Sequence, residues 1–398
     1  MNTSRSLSGG TVDAFADEVG VAVVAGVLLD QRPTNPKDPT GGLNGFVHAP
    51  FPERPPPRTT GSWERYQAAH RISGMDTREL GTIGSVSAVG FGAWQIGSAW
   101  GEVSDTDAME ALETAVHEGV TFFDTADVYG DGRSERRIGR LLKKHPHLKV
   151  ATKMGRRMAQ EPAHYNSGNF RAWNDDSRRN LGVDTIDLVQ LHCPPSAVIE
   201  TDAVFDDLDA MVAEGRMRAY GVSVETCDQA LAAIARPNVA SIQIILNAFR
   251  LKPLEKVLPA AQAAGVGVIA RVPLASGLLS GKFTAHTTFG EDDHRNFNRH
   301  GEAFDQGETF SGLDYDTALA AVERLRPLVP EGATMAGFAL RWILDQDGVS
   351  TVIPGARNAD QVRGNVAAAH LPPLDARTHS RVREIYDELI RPQVHQRW

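Results

Sequence analysis

The chain has 398 residues, of which 41% are hydrophobic and 23% are charged, and its formal net charge is −9. This length suits one large domain or two ordinary ones, and the composition is ordinary for a globular protein. The acidic balance disfavours nucleic acid as a partner, because nucleic-acid-binding proteins usually present a basic face.

The cysteine content and the apolar segments indicate the cellular compartment of the protein. Cys193 and Cys227 are the only cysteines, so a disulfide framework is excluded and a reducing cytoplasm fits. The longest apolar run near the start, residues 19–29, is too short to span a bilayer. Acidic residues precede it, whereas a signal peptide begins with positive charge. We therefore expect a cytoplasmic protein with no membrane partner.

Residues 1–74 differ from the rest of the chain. They are rich in proline, with three in succession at residues 55–57. Such a composition cannot build a packed core and predicts an irregular or disordered N-terminal extension. Two interpretations stay open, namely a regulatory or docking arm and a dispensable extension before a true start near Met75. Residues 75–398 are expected to form the folded domain.

From residue 75 onward, short apolar segments alternate with longer amphipathic segments. The apolar segments predict eight strands, at residues 86–92, 120–124, 149–154, 186–192, 218–224, 241–246, 267–273 and 350–354. The amphipathic segments predict helices at residues 105–118, 134–144, 169–181, 205–214, 227–235, 253–264 and 316–328. This alternation predicts parallel strands with right-handed crossovers. Eight such units indicate an α/β fold of the (β/α)8 TIM barrel type.

A doubly wound parallel sheet is the alternative fold. Its dinucleotide-binding form carries G-x-G-x-x-G after the first strand, and GFGAWQ at residues 90–95 lacks the last glycine. Residues 283–315 form a long insertion after strand seven, which we expect to cover the substrate. Its acidic and histidine residues fit no standard metal-ligand spacing, so no metal is predicted. Residues 373–391 predict a C-terminal amphipathic helix.

Polar side chains stand at the carboxyl ends of three predicted strands. Strand two ends at Asp124 with Tyr129 just beyond, strand three carries Lys153, and strand four ends at His192. Active sites of barrels lie where strands end and loops begin. The four side chains are therefore expected to converge at one rim of the barrel.

These four residues suit the chemistry of a carbonyl group. Lys153 is expected to neutralise a buried Asp124 and to lower the pKa of Tyr129 from about 10. Tyr129 would then act as a general acid, while His192 hydrogen-bonds the carbonyl oxygen and orients it. Each residue alone has an ordinary explanation as surface, solvated charge or core. Four of them on consecutive strands favour a catalytic site.

The motifs resemble the catalytic tetrad of the aldo-keto reductase superfamily. The match covers D-x4-Y in DTADVY, the lysine of ATKMG and the histidine of LVQLHCPP, in order and strand position. Residues 211–226, 272–283 and 352–368 also share the family's character, so the resemblance runs from about Met75 to the C-terminal region. It implies a (β/α)8 barrel that binds NADP(H), less often NAD(H), and moves hydride between nicotinamide C4 and a carbonyl.

The resemblance also implies a set of cofactor contacts. Ser223 and Gln243 match the ligands of the carboxamide. The pyrophosphate would be held by residues after strand seven, namely Pro273, Leu274, Ser276, Gly277 and Lys282. The adenosine end would be held by Gly355, Arg357, Gln361 and Asn365. Asn358 is a good N-cap, so a helix N-terminus can take a phosphate there. Arg357 beside it favours NADP over NAD, unless it is only an exposed neighbour of the cap.

Two positions depart from the family pattern, and a third matches a position of the family's substrate pocket. Val224 stands where the family commonly has asparagine, so one carboxamide hydrogen bond would be missing or supplied elsewhere. Arg271 stands where the family often stacks an aromatic ring on the nicotinamide. A guanidinium plane can also stack, and it should tolerate the neutral reduced ring better than the cationic oxidised one, which favours NADPH. Trp94 matches a substrate-pocket position, with core packing as the alternative.

We therefore predict an NADP(H)-dependent oxidoreductase that reduces aldehydes or ketones to alcohols, with a small-molecule carbonyl compound as its substrate. The alternative from another class is a nicotinamide-binding regulatory or sensor subunit with little turnover. A metal-dependent barrel isomerase or hydrolase would need carboxylates and histidines clustered at several strand ends, and the predicted strand ends do not supply them.

Overall fold

The computed structural model describes residues 74–97 and 103–398. The predicted extension, residues 1–74, therefore lies outside the described residues except for its last position. No helix in the described ranges is both long and apolar enough to cross a membrane.

The first described element is an antiparallel hairpin of β1 (Thr77–Glu79) and β2 (Ser85–Ser87). The turn between them begins with Leu80, which is fully buried, and Gly81. A Cβ atom at Gly81 would lie 1.9 Å from the carbonyl oxygen of Ala240. Only glycine therefore lets the hairpin turn approach the strands of the main sheet this closely.

Eight parallel strands follow, and each is hydrogen-bonded to the next in chain order. Parallel bridges from Val89 to Val352 and from Gly92 to Gly355 join the first of these strands to the last, so the sheet closes into the expected (β/α)8 barrel. The strands are β3 (Phe91–Gly92), β4 (Phe122–Asp124), β5 (Lys149–Met154), β6 (Ile186–His192), β7 (Met217–Ser223), β8 (Val239–Ile245), β9 (Gly267–Arg271) and β10 (Thr351–Val352).

Helices alternate with the strands. Those up to strand β9 are α1 (Trp94–Gly97), α2 (Asp105–His117), α3 (Arg133–Lys144), α4 (Ser167–Leu181), α5 (Ser196–Ile199), α6 (Asp202–Ala213), α7 (Cys227–Ile234) and α8 (Pro253–Ala264). Later ones are α9 (His294–Phe297), α10 (Tyr315–Leu325), α11 (Met335–Leu344), α12 (Ala359–Val366), α13 (Ala376–Ile385) and α14 (Arg391–Val394). Side-chain caps begin several of them; Ser104, for example, accepts a hydrogen bond from the amide of Asp107.

The inside of the barrel is apolar where it meets the hairpin. Leu80 and Val86 pack there against side chains from the barrel wall. The packed residues are Phe122, Ala151, Leu188, Ile269 and Ile353. Successive residues of a strand face opposite sides of the sheet. The alternate apolar residues of the strands therefore face outward and pack against the helices in a much larger apolar cluster. Polar side chains are thereby concentrated at the carboxyl ends of the strands.

The structure corrects the predicted elements at three places. The apolar run at residues 86–92 is two strands, because its first half pairs in the hairpin and its second half in the barrel. Helix α11 was not predicted, because it is buried along nearly its whole length and lacks an amphipathic pattern. The predicted C-terminal helix at 373–391 is α13 followed by a π-helical turn, Tyr386–Ile390, and α14.

Candidate active site

The carboxyl ends of β4, β5 and β6 bring Asp124, Lys153 and His192 together. Their exposed fractions are 2%, 1% and 5%. The Lys153 ammonium group forms a hydrogen-bonded ion pair with Oδ1 of Asp124 and donates to the carbonyl oxygen of Thr125 at 2.8 Å. The buried carboxylate and the buried ammonium therefore compensate each other, as expected from the sequence.

The second carboxylate oxygen of Asp124 accepts two amide hydrogen bonds. Gln190 Nε2 donates at 3.0 Å and Gln243 Nε2 at 2.8 Å. Sequence reasoning missed Gln190, although a glutamine inside the apolar strand LVQLH was a visible signal. Gln243 was expected to bind the carboxamide of the cofactor, but its side-chain amide nitrogen donates a hydrogen bond to the Asp124 carboxylate. Both glutamines hold Asp124 in place.

Tyr129 lies in the loop after β4, with its ring centre 5.2 Å from Nζ of Lys153. The prediction that Lys153 lowers the pKa of Tyr129 is wrong for the overall shift, because the pKa of Tyr129 is raised. Burial raises the pKa of the Tyr129 phenol by more than the Lys153 ammonium lowers it, and the Asp124 carboxylate raises it further. The phenol is therefore protonated at neutral pH, which is the form that can give up a proton.

His192 lies edge-on to Tyr129, with 6.0 Å between the ring centres. Burial lowers the pKa of His192 well below its ordinary value, and the neighbouring cations Arg156 and Lys153 lower it further. Its imidazole is therefore neutral at pH 7 and has one N–H to donate. Together, Tyr129 and His192 offer two hydrogen-bond donors to one oxygen atom.

A cluster of two arginines and two glutamates lies beside the tetrad; we call it the charge cluster. Arg271 pairs with Glu225 Oε2 and with Glu308 Oε1, both at 3.1 Å. Arg156 Nη2 donates to Glu225 Oε1 at 3.2 Å. Burial alone would raise the pKa of Glu308, but Arg271 and Arg156 bring it below its ordinary value. Sequence reasoning missed both glutamates, because no motif marks them.

Arg271 is thus not a free cation. Besides its two ion pairs, Nη2 donates to the carbonyl oxygen of Val224 at 3.1 Å. These bonds lie in the guanidinium plane and fix its orientation, and the two glutamates compensate its charge. The Arg271 charge therefore disfavours oxidised nicotinamide less than a free cation would, whereas stacking on the guanidinium face is compatible with in-plane bonds.

Within the described ranges, one group of side chains has metal-ligand geometry, namely Cys193, Glu225 and Glu308, whose ligand atoms lie within 4.8 Å of one another. Both carboxylates already pair with arginines. Burial raises the pKa of the Cys193 thiol to about 12, so it is not a thiolate at pH 7. The donor set therefore does not suit a divalent cation.

The segment after β9 has unusual backbone geometry. Val272, Ala275, Ser276 and Gly277 all have positive φ angles, of 51°, 45°, 56° and 98°. The Ser276 hydroxyl, an expected phosphate ligand, donates to the carbonyl oxygen of Glu308 at 2.7 Å and accepts from the amide of Phe310 at 3.2 Å. It therefore fastens the insertion to the barrel. Of the expected contacts, Pro273 is buried, Leu274 is partly buried and Lys282 is exposed.

Of the residues expected at the adenosine end, Gly355, Arg357 and Gln361 lie around the start of α12, and Asn365 lies in its last turn. The side chain of Asn358 caps this helix by accepting from the amide of Gln361 at 3.0 Å. Gln361 Oε1 accepts from the amide of Arg357 at 2.9 Å. Asn365 Nδ2 donates to the carbonyl oxygen of Gly355 at 3.2 Å. The predicted N-cap is confirmed.

A cleft of about 640 Å³ opens next to the tetrad. Residues from five loops line it: Val128, Arg156, Met158, Gln160, Cys193, Glu225, Ala303, Phe304 and Asp305. Trp94 stands with its ring centre 6.3 Å from that of Tyr129 and equally far from that of Phe304. The insertion at residues 283–315 therefore reaches the tetrad side of the barrel.

Comparison with known proteins identifies the family. The aldo/keto reductase family model matches residues 88–387. The aldo-keto reductase YhdN of Bacillus subtilis is 32% identical over 285 residues, which cover 69% of this chain and 83% of that protein. The Schizosaccharomyces pombe aldo-keto reductase yakc [NADP(+)] is 26% identical and covers 79% of this chain and 92% of its own length.

A solved structure agrees with these sequence matches. The glycerol dehydrogenase of Gluconobacter oxydans is 32% identical and superimposes with a TM-score of 0.65, covering 80% of this chain and 97% of that one. The same family is indicated by the barrel fold, by the order of the four polar residues in the chain and by their position at one rim of the barrel. The chain belongs to the aldo/keto reductase family of oxidoreductases.

Proposed function

We propose that the chain reduces aldehydes or ketones with NADP(H), and that Tyr129 is the proton donor. The observation that carries the proposal is the fully buried Lys153–Asp124 pair, with its ammonium 5.2 Å from the centre of the Tyr129 ring. A buried cation beside a phenol stabilises the phenolate that proton donation leaves behind.

The roles of the side chains follow from their protonation. When bound, the reduced nicotinamide supplies the hydride that reaches the carbonyl carbon. The neutral His192 donates a hydrogen bond to the carbonyl oxygen and orients it. Tyr129 gives its proton to that oxygen as negative charge develops, and Lys153 stabilises the resulting phenolate. Asp124, held by two glutamines, keeps Lys153 charged.

Residues of this chain fit the proposed cofactor at both ends. Ser223 is buried at the end of β7 beside the tetrad, where it would meet the carboxamide. At the other end, the capped start of α12 and Arg357 suit a phosphate group. Arg357 favours NADP(H) over NAD(H), and the name of the relative from S. pombe agrees with this choice.

The test is substitution of the general acid, Tyr129→Phe. This change should lower kcat by at least about a thousandfold, because the proton donor is lost, while NADPH fluorescence titration gives an unchanged Kd. Retained turnover would refute the role of Tyr129. Tight NADPH binding by the wild type with no turnover across a panel of aldehydes would instead support a sensor.

A further inference from the structure

A row of aromatic rings runs from the tetrad to the protein surface; we call it the aromatic wall. Trp94 stands 6.3 Å from Tyr129, Phe304 stands 6.3 Å from Trp94, and Phe297 stands 6.2 Å from Phe304, measured between ring centres. His294 packs against Trp94 at 5.0 Å and against Phe304 at 6.4 Å. Three of these five rings belong to the insertion, which thus supplies the outer part of the wall.

The outer end of the aromatic wall is unusually apolar for a protein surface. Among the described residues, Met158 and Phe297 are the exposed large hydrophobic side chains, with 42% and 39% of their surface accessible. Met158 lines the cleft, and Phe297 packs on Phe304, which also lines it. Apolar side chains that stay exposed together at a cleft mouth indicate an apolar ligand there.

The polar side chains of the cleft are largely satisfied by the protein itself. Arg156 donates hydrogen bonds to the Glu225 carboxylate and to the carbonyl oxygen of His192. Gln160 Nε2 donates to the carbonyl oxygen of Cys193 at 2.7 Å. Asp305 accepts from the Trp398 indole at 3.1 Å. A site for a substrate with many hydroxyl groups would instead contain polar side chains without protein partners, which could bind those hydroxyl groups.

The wall is also uncharged at neutral pH. Burial lowers the pKa of His294 to about 4, although the nearby Asp293 carboxylate opposes this shift. At pH 7 the His294 imidazole therefore packs as a neutral ring between Trp94 and Phe304. An uncharged wall favours contact with a flat apolar group over contact with a charged one.

We propose that the natural substrate class is carbonyl compounds whose carbonyl carbon bears a flat, extended apolar group of at least two fused rings. The carbonyl oxygen would meet Tyr129 and His192, and the flat group would lie along the wall toward Met158 and Phe297. This inference rests on the proposed function and adds the substrate class. Phe304 is its specificity-determining residue, because it joins the inner rings to the outer one.

The test compares three aldehydes with NADPH: 2-naphthaldehyde, benzaldehyde and glyceraldehyde. In the wild type, kcat/KM should be about tenfold higher for 2-naphthaldehyde than for benzaldehyde, because only the second ring reaches Phe304. Phe304→Ala should abolish this preference through KM, with kcat nearly unchanged. The matched control is Phe289→Ala, the same change in the same insertion but outside the wall, where Phe289 packs on Phe283 and Phe310; it should keep the preference.

Three outcomes would overturn the inference. The first is a wild type that prefers glyceraldehyde to both aryl aldehydes, which indicates hydroxylated substrates. The second is an equal loss for all three aldehydes in Phe304→Ala, and the third is the same loss of preference in Phe289→Ala; both indicate a structural effect. Turnover of glyceraldehyde alone leaves the proposed reductase function standing, whereas absence of turnover with every carbonyl refutes that function and the substrate class with it.

Discussion

Asp127 stands two residues before the proposed general acid and is completely buried. Its carboxylate forms an ion pair with Arg157, whose Nε lies 3.3 Å from Oδ2. Burial raises the pKa of Asp127 to about 7, and Arg157 opposes this shift without cancelling it. The same Arg157 donates to the Asp127 carbonyl oxygen at 2.7 Å, so it ties the Tyr129 loop to the end of β5.

The raised pKa of Asp127 predicts a pH dependence of stability. Between about pH 4 and pH 7 the folded state holds a proton that the unfolded state has released. The free energy of unfolding should therefore decrease as the pH rises through this window, by at most about 4 kcal/mol, and this contribution should be constant above it. Asp127→Asn should lack this component, as measured by urea denaturation at pH 4.5, 5.5, 6.5 and 7.5.

The control for this measurement is Asp131→Asn. Asp131 pairs with the same Arg157 at 2.9 Å, but its side chain is 89% exposed. This variant should follow the wild-type pH profile. If wild type and Asp127→Asn gave parallel profiles between pH 4.5 and 7.5, the buried carboxylate would not be the source of the effect.

At the scale of elements, the insertion at residues 283–315 is fixed to the barrel by specific contacts. Glu308 pairs with Arg271 of β9, and the backbone of Glu308 accepts from Ser276. The insertion also packs its own rings, as in the contact of Phe283 with Phe289 at 5.3 Å. It therefore behaves as an anchored segment that brings Glu308 and Phe304 to the site, as a cover for the cleft requires.

Glu308→Gln should loosen the insertion without unfolding the barrel. Glutamine keeps the size of the side chain but loses the charge that pairs with Arg271 and Arg156. We expect proteolytic cleavage within residues 283–315 to become roughly tenfold faster, because local opening costs less free energy. Mass spectrometry of limited trypsin digests locates the cuts, and far-UV circular dichroism reports on the barrel.

The matched control is Glu302→Gln in the same insertion. Glu302 is exposed, and its carboxylate accepts from the amide of His300 at 2.9 Å. Its loss should leave the digestion rate near that of the wild type. Equal acceleration in both variants would mean that any removed charge loosens the insertion, and the proposed anchoring by Glu308 would be wrong.

At the scale of the whole molecule, the barrel closes within the described residues. The hairpin of β1 and β2 fills one end, and the bridge from Gly92 to Gly355 joins the first and last barrel strands. The tetrad lies between residues 124 and 192, and the cleft-lining residues lie between 128 and 305. All of these features are formed by residues within the described ranges 74–97 and 103–398.

A chain that starts at residue 74 is therefore expected to fold and to reduce carbonyl compounds. Its kcat/KM should stay within about twofold of the full chain, and its Tm should change by only a few degrees, because the packed core is unchanged. Thermal unfolding and NADPH-linked turnover measure both. Loss of folding or of NADPH binding would give the first 73 residues a role in the domain.

Much of this architecture was readable from local sequence. The alternation of apolar and amphipathic segments predicted the eight strands, because strand and helix periodicities are local properties of the chain. The ends of three of those strands predicted where Asp124, Lys153 and His192 meet. The capped start of α12 was likewise predicted from Asn358, since a side-chain cap needs only the next three residues.

Other features arose only from tertiary structure. The pairing of Glu308 with Arg271, the aromatic wall and the hydrogen bonds from Gln190 and Gln243 join residues that are far apart in the chain and carry no shared motif. The pKa of Tyr129 rises because burial outweighs a neighbouring cation, and burial is a property of the whole packed barrel. The sequence by itself thus determined the fold class and the order of the reactive groups, whereas three-dimensional packing decided their protonation, their partners and the shape of the cleft.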